Sequence, residues 1–412
     1  MPFVALAIYA RDPRVFESPR LWAEEGSSYF ASAVSHDAVS GLLNVKAAEH
    51  NPYLHPIPQL ATWFAANFVS LSLVPVVTTA AWCLIVLALL LVVLYGRAPL
   101  LDRWQSRLLV LAAPFLAVSN SENWANTLGA HFWVDYALVL LLLEGEVISG
   151  RRRLLGLLAF GLLALLSPTA WILLPAVVAL CIVQWKEHRA YLCVLSAVVA
   201  LDAAITLLVF PETSRQPASI AEAAHLVLSK LLLWPLAGFD VAERYTRHVL
   251  GLSESALRLS GWLLAAVLVA LGSTLFYVSR RDKTTIALLA THLAATLGFV
   301  ALGLNVGHGL LPLLSGARYS WLPNALLIVL LAHQLDGARL RARKPSQLAF
   351  AAALLVCLTV AVHEYRYPDV PWLRGPDWRA EVERYELLPE YTTLKIWPKG
   401  WAVEVPRRRG GD

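Results

Sequence analysis

The chain has 412 residues, of which 58% are hydrophobic and 15% are charged, and its mean hydropathy is +0.59. Since soluble globular proteins carry roughly 25% charged residues, this composition excludes a soluble globular protein and predicts an all-α polytopic membrane protein. The formal net charge of +5 does not indicate a nucleic-acid partner, because the basic residues cluster in short loops between apolar segments.

The first part of the chain contains no complete span. Residues 1–10 are apolar but too short to cross a bilayer, because a transmembrane helix needs about 20 residues. Either the true N-terminus lies upstream of Met1 or residues 1–10 are the outer half of a first span, and we favour the upstream start. Residues 11–73 follow as a first outer loop. Its stretches SSYFASAV and PIPQLATWFAANFVSLSL have an apolar and a polar face, which is typical of helices lying in the membrane interface.

The remaining apolar segments are predicted to cross the membrane, giving about eleven transmembrane helices when the first span is included. Two of the segments, those beginning at residues 106 and 154, are short for a bilayer. The predicted limits are 74–95, 106–119, 131–148, 154–167, 169–185, 191–210, 261–279, 284–304, 320–335 and 346–362.

The distribution of lysine and arginine predicts the orientation of these spans. Basic residues are concentrated in alternate short loops, near residues 97–107, 151–153, 186–189, 280–283 and 339–344, whereas the intervening short loops carry only Arg318. Cytoplasmic loops are enriched in these residues, so the basic loops are predicted to be cytoplasmic. The first outer loop, residues 211–260 and the segment from residue 363 are then expected to face outward.

The sequence divides into a transmembrane domain, residues 1–362, and a small outer tail, residues 363–412. The tail differs in composition, since it contains four tryptophans and many charged residues. Its stretch TTLKIWPKGWAVEVP alternates apolar and polar residues, and a period of two predicts a small β-hairpin.

Two adjacent carboxylates, Glu24 and Glu25, stand out in the first outer loop, within PRLWAEEGSSYF. Neighbouring carboxylates repel each other, which raises the pKa of one of them and suits a general base. We therefore take the pair as the candidate catalytic residues, and we expect Glu25 to be an exposed carboxylate that contributes little to folding. The alternative is an acidic first turn of a surface helix, which the helix dipole favours.

Other polar residues of the predicted outer loops are candidates for substrate binding. They are His50, Asn51 and Tyr53 in the first loop, Glu122 and Asn123 in the second, and His308, Arg318 and Tyr319 in the third. For Glu122 and the neighbouring asparagines, the alternative is solvation of the loop or capping of the following helix. A divalent cation, Mg²⁺ or Mn²⁺, remains open at Glu24, Glu25 and His55, because carboxylates can bind a hard cation.

Arg318 is distinguished from the other basic residues by its position. It is the single basic residue of the short loops predicted to face outward. A planar guanidinium binds a phosphate through two hydrogen bonds, which lysine cannot do. The residue is therefore a candidate phosphate ligand, and the alternative is an interfacial anchor whose charged end reaches the headgroups.

The segment PRLWAEEG resembles the GT-C superfamily of membrane glycosyltransferases. In aminoarabinose and protein mannosyltransferases of that class, a tryptophan commonly lies a few residues before an Asp-Glu pair in the first outer loop. Here Trp22 precedes Glu24 and Glu25, and Glu24 replaces the usual Asp. The stretches PRLWAEEG and HNPYLHPIP also resemble a bacterial set of multi-span proteins that carry a Trp-Ala-Glu-Asp-Gly motif.

This resemblance implies a GT-C-like bundle and an inverting transfer of a sugar from a polyprenyl-phosphate donor to a glycan, lipid or protein acceptor of the cell envelope. The reaction would take place on the outer face of a bacterial inner membrane. Glu25 is then expected to be the general base, Glu24 to position the acceptor or tune Glu25, and Arg318 to stabilise the departing phosphate.

Functions of other classes remain alternatives. One is a lipid-linked sugar flippase or other transporter, which is expected to carry ionisable groups at mid-membrane depth. In this sequence Asp135, Asp202 and His292 are the main residues of that kind. A polysaccharide polymerase or ligase and an assembly subunit without activity are further alternatives.

Overall fold

The structure is a computed structural model that describes residues 2–44, 55–118, 121–144, 150–209, 219–279, 282–302, 311–340, 344–365 and 375–407. These residues are largely helical, which confirms the predicted all-α class. In chain order the α-helices are α1 Pro2–Arg11, α2 Arg14–Glu17, α3 Ala31–Ser35, α4 Ala38–Leu43, α5 Pro56–Phe68, α6 Val74–Tyr95, α7 Trp104–Leu116, α8 Ala130–Glu144, α9 Gly150–Leu166, α10 Leu174–Val183, α11 Trp185–Val209, α12 Ile220–Leu226, α13 Trp234–Ala237, α14 Phe239–Leu250, α15 Glu254–Ser279, α16 Lys283–Leu302, α17 Trp321–Leu340, α18 Lys344–His363 and α19 Trp378–Leu387.

Shorter elements connect these helices. Two segments are π-helical, Glu25–Phe30 and Val227–Leu233. Single 3₁₀ turns lie at Leu71–Leu73, Pro99–Leu101, Ser121–Asn123, Ala170–Leu173 and Ala317–Ser320. Two strands, β1 Thr393–Ile396 and β2 Trp401–Glu404, form an antiparallel pair.

Within the described parts of the chain, four helical segments are long and apolar enough to cross a membrane, namely Leu71–Tyr95, Trp185–Ile205, Ile220–Ala237 and Glu254–Thr274. They support a membrane protein, while the total of about eleven spans stays a prediction. Each of the ten predicted spans falls on a helix, and α6 has the limits predicted for it. Ile220–Ala237 is not one of the ten predicted spans, because the sequence analysis assigns residues 211–260 to a segment that faces outward.

The centre of the bundle is formed by α8 and the first half of α17. Every residue from Ala130 to Leu143 is buried, as is every residue from Trp321 to Leu330. A helix that is apolar and buried on all sides lies in the middle of its fold. Helices α6 and α9 pack against α8, and α7, α16 and α18 pack against α17.

Tryptophan rings join these central helices near one end of the bundle. Trp133 of α8 lies 5.3 Å from Trp82 of α6 and 4.8 Å from Trp321 of α17, measured between ring centroids. Trp124, in the loop before α8, lies 5.4 Å from Trp133. Aromatic pairs at such distances contribute roughly 0.5–1.5 kcal/mol beyond their buried area, so this end of the bundle is firmly packed.

The predicted hairpin in the tail is confirmed. Strands β1 and β2 pair from Thr393 with Glu404 to Ile396 with Trp401. With α19 they pack onto the beginning of the chain and onto the start of α6, in a cluster of buried side chains: Leu21, Phe30, Ala65, Val74, Trp378, Val382, Leu394, Ile396, Val403 and Val405. The tail therefore shares an apolar core with the segment that carries the acidic pair.

Candidate functional site

The acidic pair begins at an unusual backbone conformation. Ala23 has a φ of 39°, a left-handed value that a residue with a Cβ rarely adopts. The tail holds this conformation in place: the backbone nitrogen of Trp397 donates to the Leu21 carbonyl at 3.0 Å, and the Ala23 nitrogen donates to the Trp397 carbonyl. Glu24 follows directly, and the π-helical turn Glu25–Phe30 carries the chain away.

The glycine that follows the pair lies against the tail. A Cβ at Gly26 would lie 2.5 Å from Cδ1 of Ile396 in β1, which is closer than packed carbon atoms approach. A larger residue at this position would require the end of the Ile396 side chain to move, so the π-helical turn and the hairpin are in close contact here.

Glu25 is completely buried, so the expectation that it is exposed is wrong. Its Oε1 accepts hydrogen bonds from the backbone nitrogen of Thr127 at 2.8 Å and from the Thr127 hydroxyl at 2.5 Å, and its Oε2 accepts from the Trp22 nitrogen at 3.2 Å. Burial raises the pKa of Glu25, while these bonds and one from Thr78 act in the opposite direction. The Glu25 carboxylate thus connects the acidic turn to the loop that contains Thr127.

The loop that contains Thr127 also has a left-handed alanine. Ala125 has a φ of 54°, and its carbonyl accepts from the Thr79 hydroxyl at 3.3 Å. Asn126 closes the loop, because its side-chain nitrogen donates to the Glu122 carbonyl at 2.7 Å and its oxygen accepts from the Gly129 nitrogen at 2.8 Å. Strained non-glycine residues are concentrated at functional sites, and here two of them flank the Glu25–Thr127 contact.

Glu24 differs from its neighbour in being only half-buried, and its negative charge acts on Arg318. Arg318 Nη1 lies 3.3 Å from Oε2 of Glu122, and Nη2 donates to the Tyr319 hydroxyl at 3.0 Å. Burial alone lowers the pKa of Arg318, but Tyr319, Glu122 and Glu24 together raise it well above its ordinary value. The Arg318 side chain is 35% exposed, so this residue is charged, oriented and partly accessible.

The backbone that carries Arg318 is fixed from two sides. The Asn123 side-chain nitrogen donates to the Arg318 carbonyl at 2.8 Å. Lys230, which is fully buried in the π-helical segment before α13, donates from Nζ to the carbonyls of Pro312, at 3.1 Å, and Ser315. A single lysine within an apolar run is the sequence signal that could have revealed Lys230, and we missed it.

His55 lies at the start of α5, buried against two aromatic rings. Its ring centroid is 5.0 Å from that of His131 and 6.0 Å from that of Tyr29. Burial, with the charges of His131 and Arg318, lowers the pKa of His55 well below its ordinary value, so its imidazole is neutral at neutral pH. His131 therefore joins the site, although the sequence offered no specific role for it.

Some of the site residues predicted from the sequence lie outside the part of the chain that the structure describes. His50, Asn51, Tyr53 and His308 lie outside the described residues. In the part of the chain that is described, no three His, Cys, Asp or Glu side chains are grouped as a metal ion requires. The divalent cation at Glu24, Glu25 and His55 stays a prediction.

Residues from four distant parts of the sequence thus meet at one end of the bundle: the acidic pair, His55, the Glu122–Thr127 loop and the Arg318–Tyr319 turn. The arrangement places an accessible carboxylate near an accessible, oriented guanidinium. Comparisons with protein-family models, with curated proteins and with solved structures gave no match to this chain. Its function is therefore inferred from this geometry.

Proposed function

We propose that this protein is an inverting membrane glycosyltransferase that moves a sugar from a polyprenyl-phosphate carrier to an acceptor hydroxyl of the cell envelope. One observation carries the proposal: half-buried Glu24 lies within electrostatic reach of the accessible Arg318 guanidinium. Transfer from a sugar phosphate needs a base for the incoming hydroxyl and a fixed cation for the departing phosphate. These two groups come from distant parts of the sequence.

In this mechanism Glu24, rather than Glu25, is the general base. An acceptor hydroxyl must come within hydrogen-bond distance of the base, and Glu25 is shielded from any acceptor by Thr127 and Trp22. Glu24 removes the proton as the hydroxyl oxygen attacks the anomeric carbon. Glu25 instead holds the turn that presents Glu24, so the two carboxylates exchange the roles expected from the sequence.

Arg318 binds the phosphate of the lipid carrier and stabilises the charge that develops as the bond to the sugar breaks. Its pairing with Glu122 and its position over the Tyr319 ring, 4.9 Å from the centroid, keep it oriented before the donor arrives. A preorganised cation costs little reorganisation during the reaction. The basic loops at the other ends of the spans support an outward-facing site, in a bacterial inner membrane.

The transporter alternative receives less support from the described residues. Asp135 is buried in α8, where its carboxylate accepts hydrogen bonds from the hydroxyls of Ser167 at 2.6 Å and Thr169 at 2.5 Å. A carboxylate satisfied in this way stabilises the packing of α8 on its neighbours. It offers no sign of a polar path through the bundle.

The test is an assay of purified protein with a panel of polyprenyl-phosphate sugars, following both transfer to added acceptors and hydrolysis by water. With the donor that is consumed, we expect Glu24→Gln to lower turnover by about 10² to 10⁴, with donor binding preserved. Glu17→Gln is the matched control, because Glu17 is an exposed carboxylate of the same segment. The same assay with a chelator added tests whether turnover requires a divalent cation.

Two outcomes would overturn the proposal. One is that no sugar-phosphate donor in the panel is bound or consumed. The other is that Glu24→Gln keeps more than about a tenth of wild-type turnover, since general-base catalysis is worth more than that.

A further inference from the structure

A second polar site lies at the opposite end of the bundle, independent of the proposed reaction. Thr78, near the start of α6, faces Glu25, whereas Leu94 and Gly96, at its other end, line a groove of about 500 Å³. At 1.5 Å per residue these two ends of α6 are roughly 25 Å apart. The end of α8 and the first turns of α9 form the other walls of the groove.

Of the residues that the structure describes, three arginines and one carboxylate line this groove: Arg97, Arg107, Arg152 and Glu144. Arg107 has a structural role, because its guanidinium donates to the carbonyls of Val93, Leu94 and Gly96 at 2.8, 2.6 and 2.9 Å and so caps α6. Glu144 is engaged by the backbone nitrogen of Arg97 at 2.9 Å. A single carboxylate among three guanidinium groups leaves an excess of positive charge.

The guanidinium groups of Arg97 and Arg152 are the ones available to a ligand. Both residues are exposed, and neither side chain donates a hydrogen bond to any residue that the structure describes. Exposed guanidinium groups bind phosphate oxygens through paired hydrogen bonds. The polar end of the groove therefore fits a phosphate group.

The rest of the groove is apolar and continues into the outer surface of α9. Leu94 is 51% exposed, Leu155 is 56% exposed and Leu158, one turn further, is 60% exposed. Gly156 has no side chain to fill the space between them. A free phosphate ion would make no use of this wall, whereas an acyl chain lies against such a surface. The two halves together have the shape and chemistry of a lipid site.

We propose that this groove binds an anionic glycerophospholipid, with its phosphate at Arg97 and Arg152 and an acyl chain along Leu94 and Leu155. Basic pockets between transmembrane helices bind anionic headgroups in this way. The excess positive charge selects against a zwitterionic headgroup, whose own cation meets the same arginines.

The experiment is native mass spectrometry of the purified full-length protein in detergent, with phosphatidylglycerol, phosphatidylcholine or inorganic phosphate added. We expect phosphatidylglycerol to bind more tightly than phosphatidylcholine. The double variant Arg97→Ala, Arg152→Ala should weaken phosphatidylglycerol binding by about 10- to 30-fold. The matched control is Arg151→Ala with Arg189→Ala, which removes two exposed arginines outside the groove.

Three results would overturn the inference. Equal binding of both lipids removes the selectivity for an anionic headgroup. An equal loss in the double variant and in the control shows general attraction to basic loops rather than a site. Inorganic phosphate that displaces phosphatidylglycerol at comparable concentration shows an anion site without a lipid. None of these results bears on Glu24 or Arg318, so the proposed glycosyl transfer is tested separately.

Discussion

Thr127 donates two hydrogen bonds to Oε1 of Glu25, one from its backbone nitrogen at 2.8 Å and one from its hydroxyl at 2.5 Å. The two residues lie on loops that flank different helices, and each loop contains an alanine with a left-handed backbone. A buried carboxylate with several donors is a strong, directional connection between backbone segments. Glu25 therefore connects the acidic turn to the loop that contains Thr127, and its neighbour Glu24 is the carboxylate that a substrate can reach.

This difference predicts that Glu25→Gln acts on stability, unlike Glu24→Gln. The amide keeps the size of the side chain, but its NH₂ group is itself a hydrogen-bond donor. In either orientation it faces another donor, namely the nitrogen and hydroxyl of Thr127 or the backbone nitrogen of Trp22. A buried donor left without an acceptor costs about 1–3 kcal/mol. We expect a lower Tm for Glu25→Gln and an unchanged Tm for Glu24→Gln, measured by thermal unfolding in the same detergent. Equal Tm values for the two variants would contradict the structural role of Glu25.

Burial of Glu25 also predicts a pH dependence of stability. Because burial raises the pKa of Glu25, the folded protein binds this proton more tightly than the unfolded chain does. The stabilisation is fully present below the unfolded pKa and is lost as pH rises through the raised folded pKa. The Tm of the wild type minus that of Glu25→Gln should therefore increase as pH is lowered from about 7 to about 4. A difference that does not change with pH contradicts the prediction.

Arg318 is predicted to act on donor binding. Arg318→Ala should weaken binding of the sugar-phosphate donor, and Arg318→Lys should restore only part of it, because lysine lacks the planar fork. Arg258→Ala is the matched control, since Arg258 is an exposed arginine paired with Glu254 at the surface of α15. Affinity is measured by titrating the donor into purified protein. If Arg318→Ala binds the donor as the wild type does, Arg318 is an interfacial anchor.

Trp397 is predicted to support the acidic turn from the tail. It is 6% exposed, its indole nitrogen donates to the Pro376 carbonyl at 2.8 Å, and Arg20 stacks on its ring at 4.7 Å. Truncating a buried tryptophan to alanine costs about 3–5 kcal/mol, and the ring that is lost packs directly against Trp22 and Ala23 of the acidic turn. We expect Trp397→Ala to release the tail to protease and to lower turnover at least tenfold.

The matched control for this prediction is Trp401→Ala. Trp401 lies in the same hairpin but is 37% exposed, so its loss should leave the tail protected and the turnover near that of the wild type. Equal protease sensitivity of the two variants indicates general damage to the hairpin instead of a specific role for Trp397.

The shared core of the tail and the first segment also constrains the topology. Cysteines introduced at Ser27 and at exposed Glu386, in a background without the four native cysteines, should both react with an impermeant reagent on intact cells. The outward orientation rests on the alternation of basic loops. Labelling of both positions only after lysis would place the site in the cytoplasm. Labelling of one position alone would contradict the packing of the tail on the acidic turn.

The features predicted well from the sequence are those set by local pattern. The uninterrupted apolar run of α6 defines both of its ends, and the alternation around Trp397 predicts the hairpin. The sequence analysis assigned Glu122, Asn123 and Arg318 to separate loops on the same side of the membrane, and only the structure brings the three residues into contact.

The features that escaped prediction depend on contacts between distant residues. Nothing in the local sequence distinguishes Glu24 from Glu25, since adjacent residues of a helical turn point in directions about 100° apart and the partner decides which is buried. That partner, Thr127, is a common residue without a motif. Lys230 stands out in the sequence as a single lysine in an apolar run, but its partners, the Pro312 and Ser315 carbonyls, follow from the fold of a loop far along the chain.

The bridge between Trp22 and Trp397 has a consequence for how the protein is made. The ribosome synthesises the acidic turn well before its supporting strand, because Trp22 and Trp397 lie far apart in the sequence, and this leaves an interval in which the turn exists without the strand. During that interval the turn lacks the backbone partners that hold Ala23 in its left-handed conformation. The acidic turn is thus completed only after β1 and Trp397 have been made, and a chain that stops before β1 lacks the backbone partners of Leu21 and Ala23.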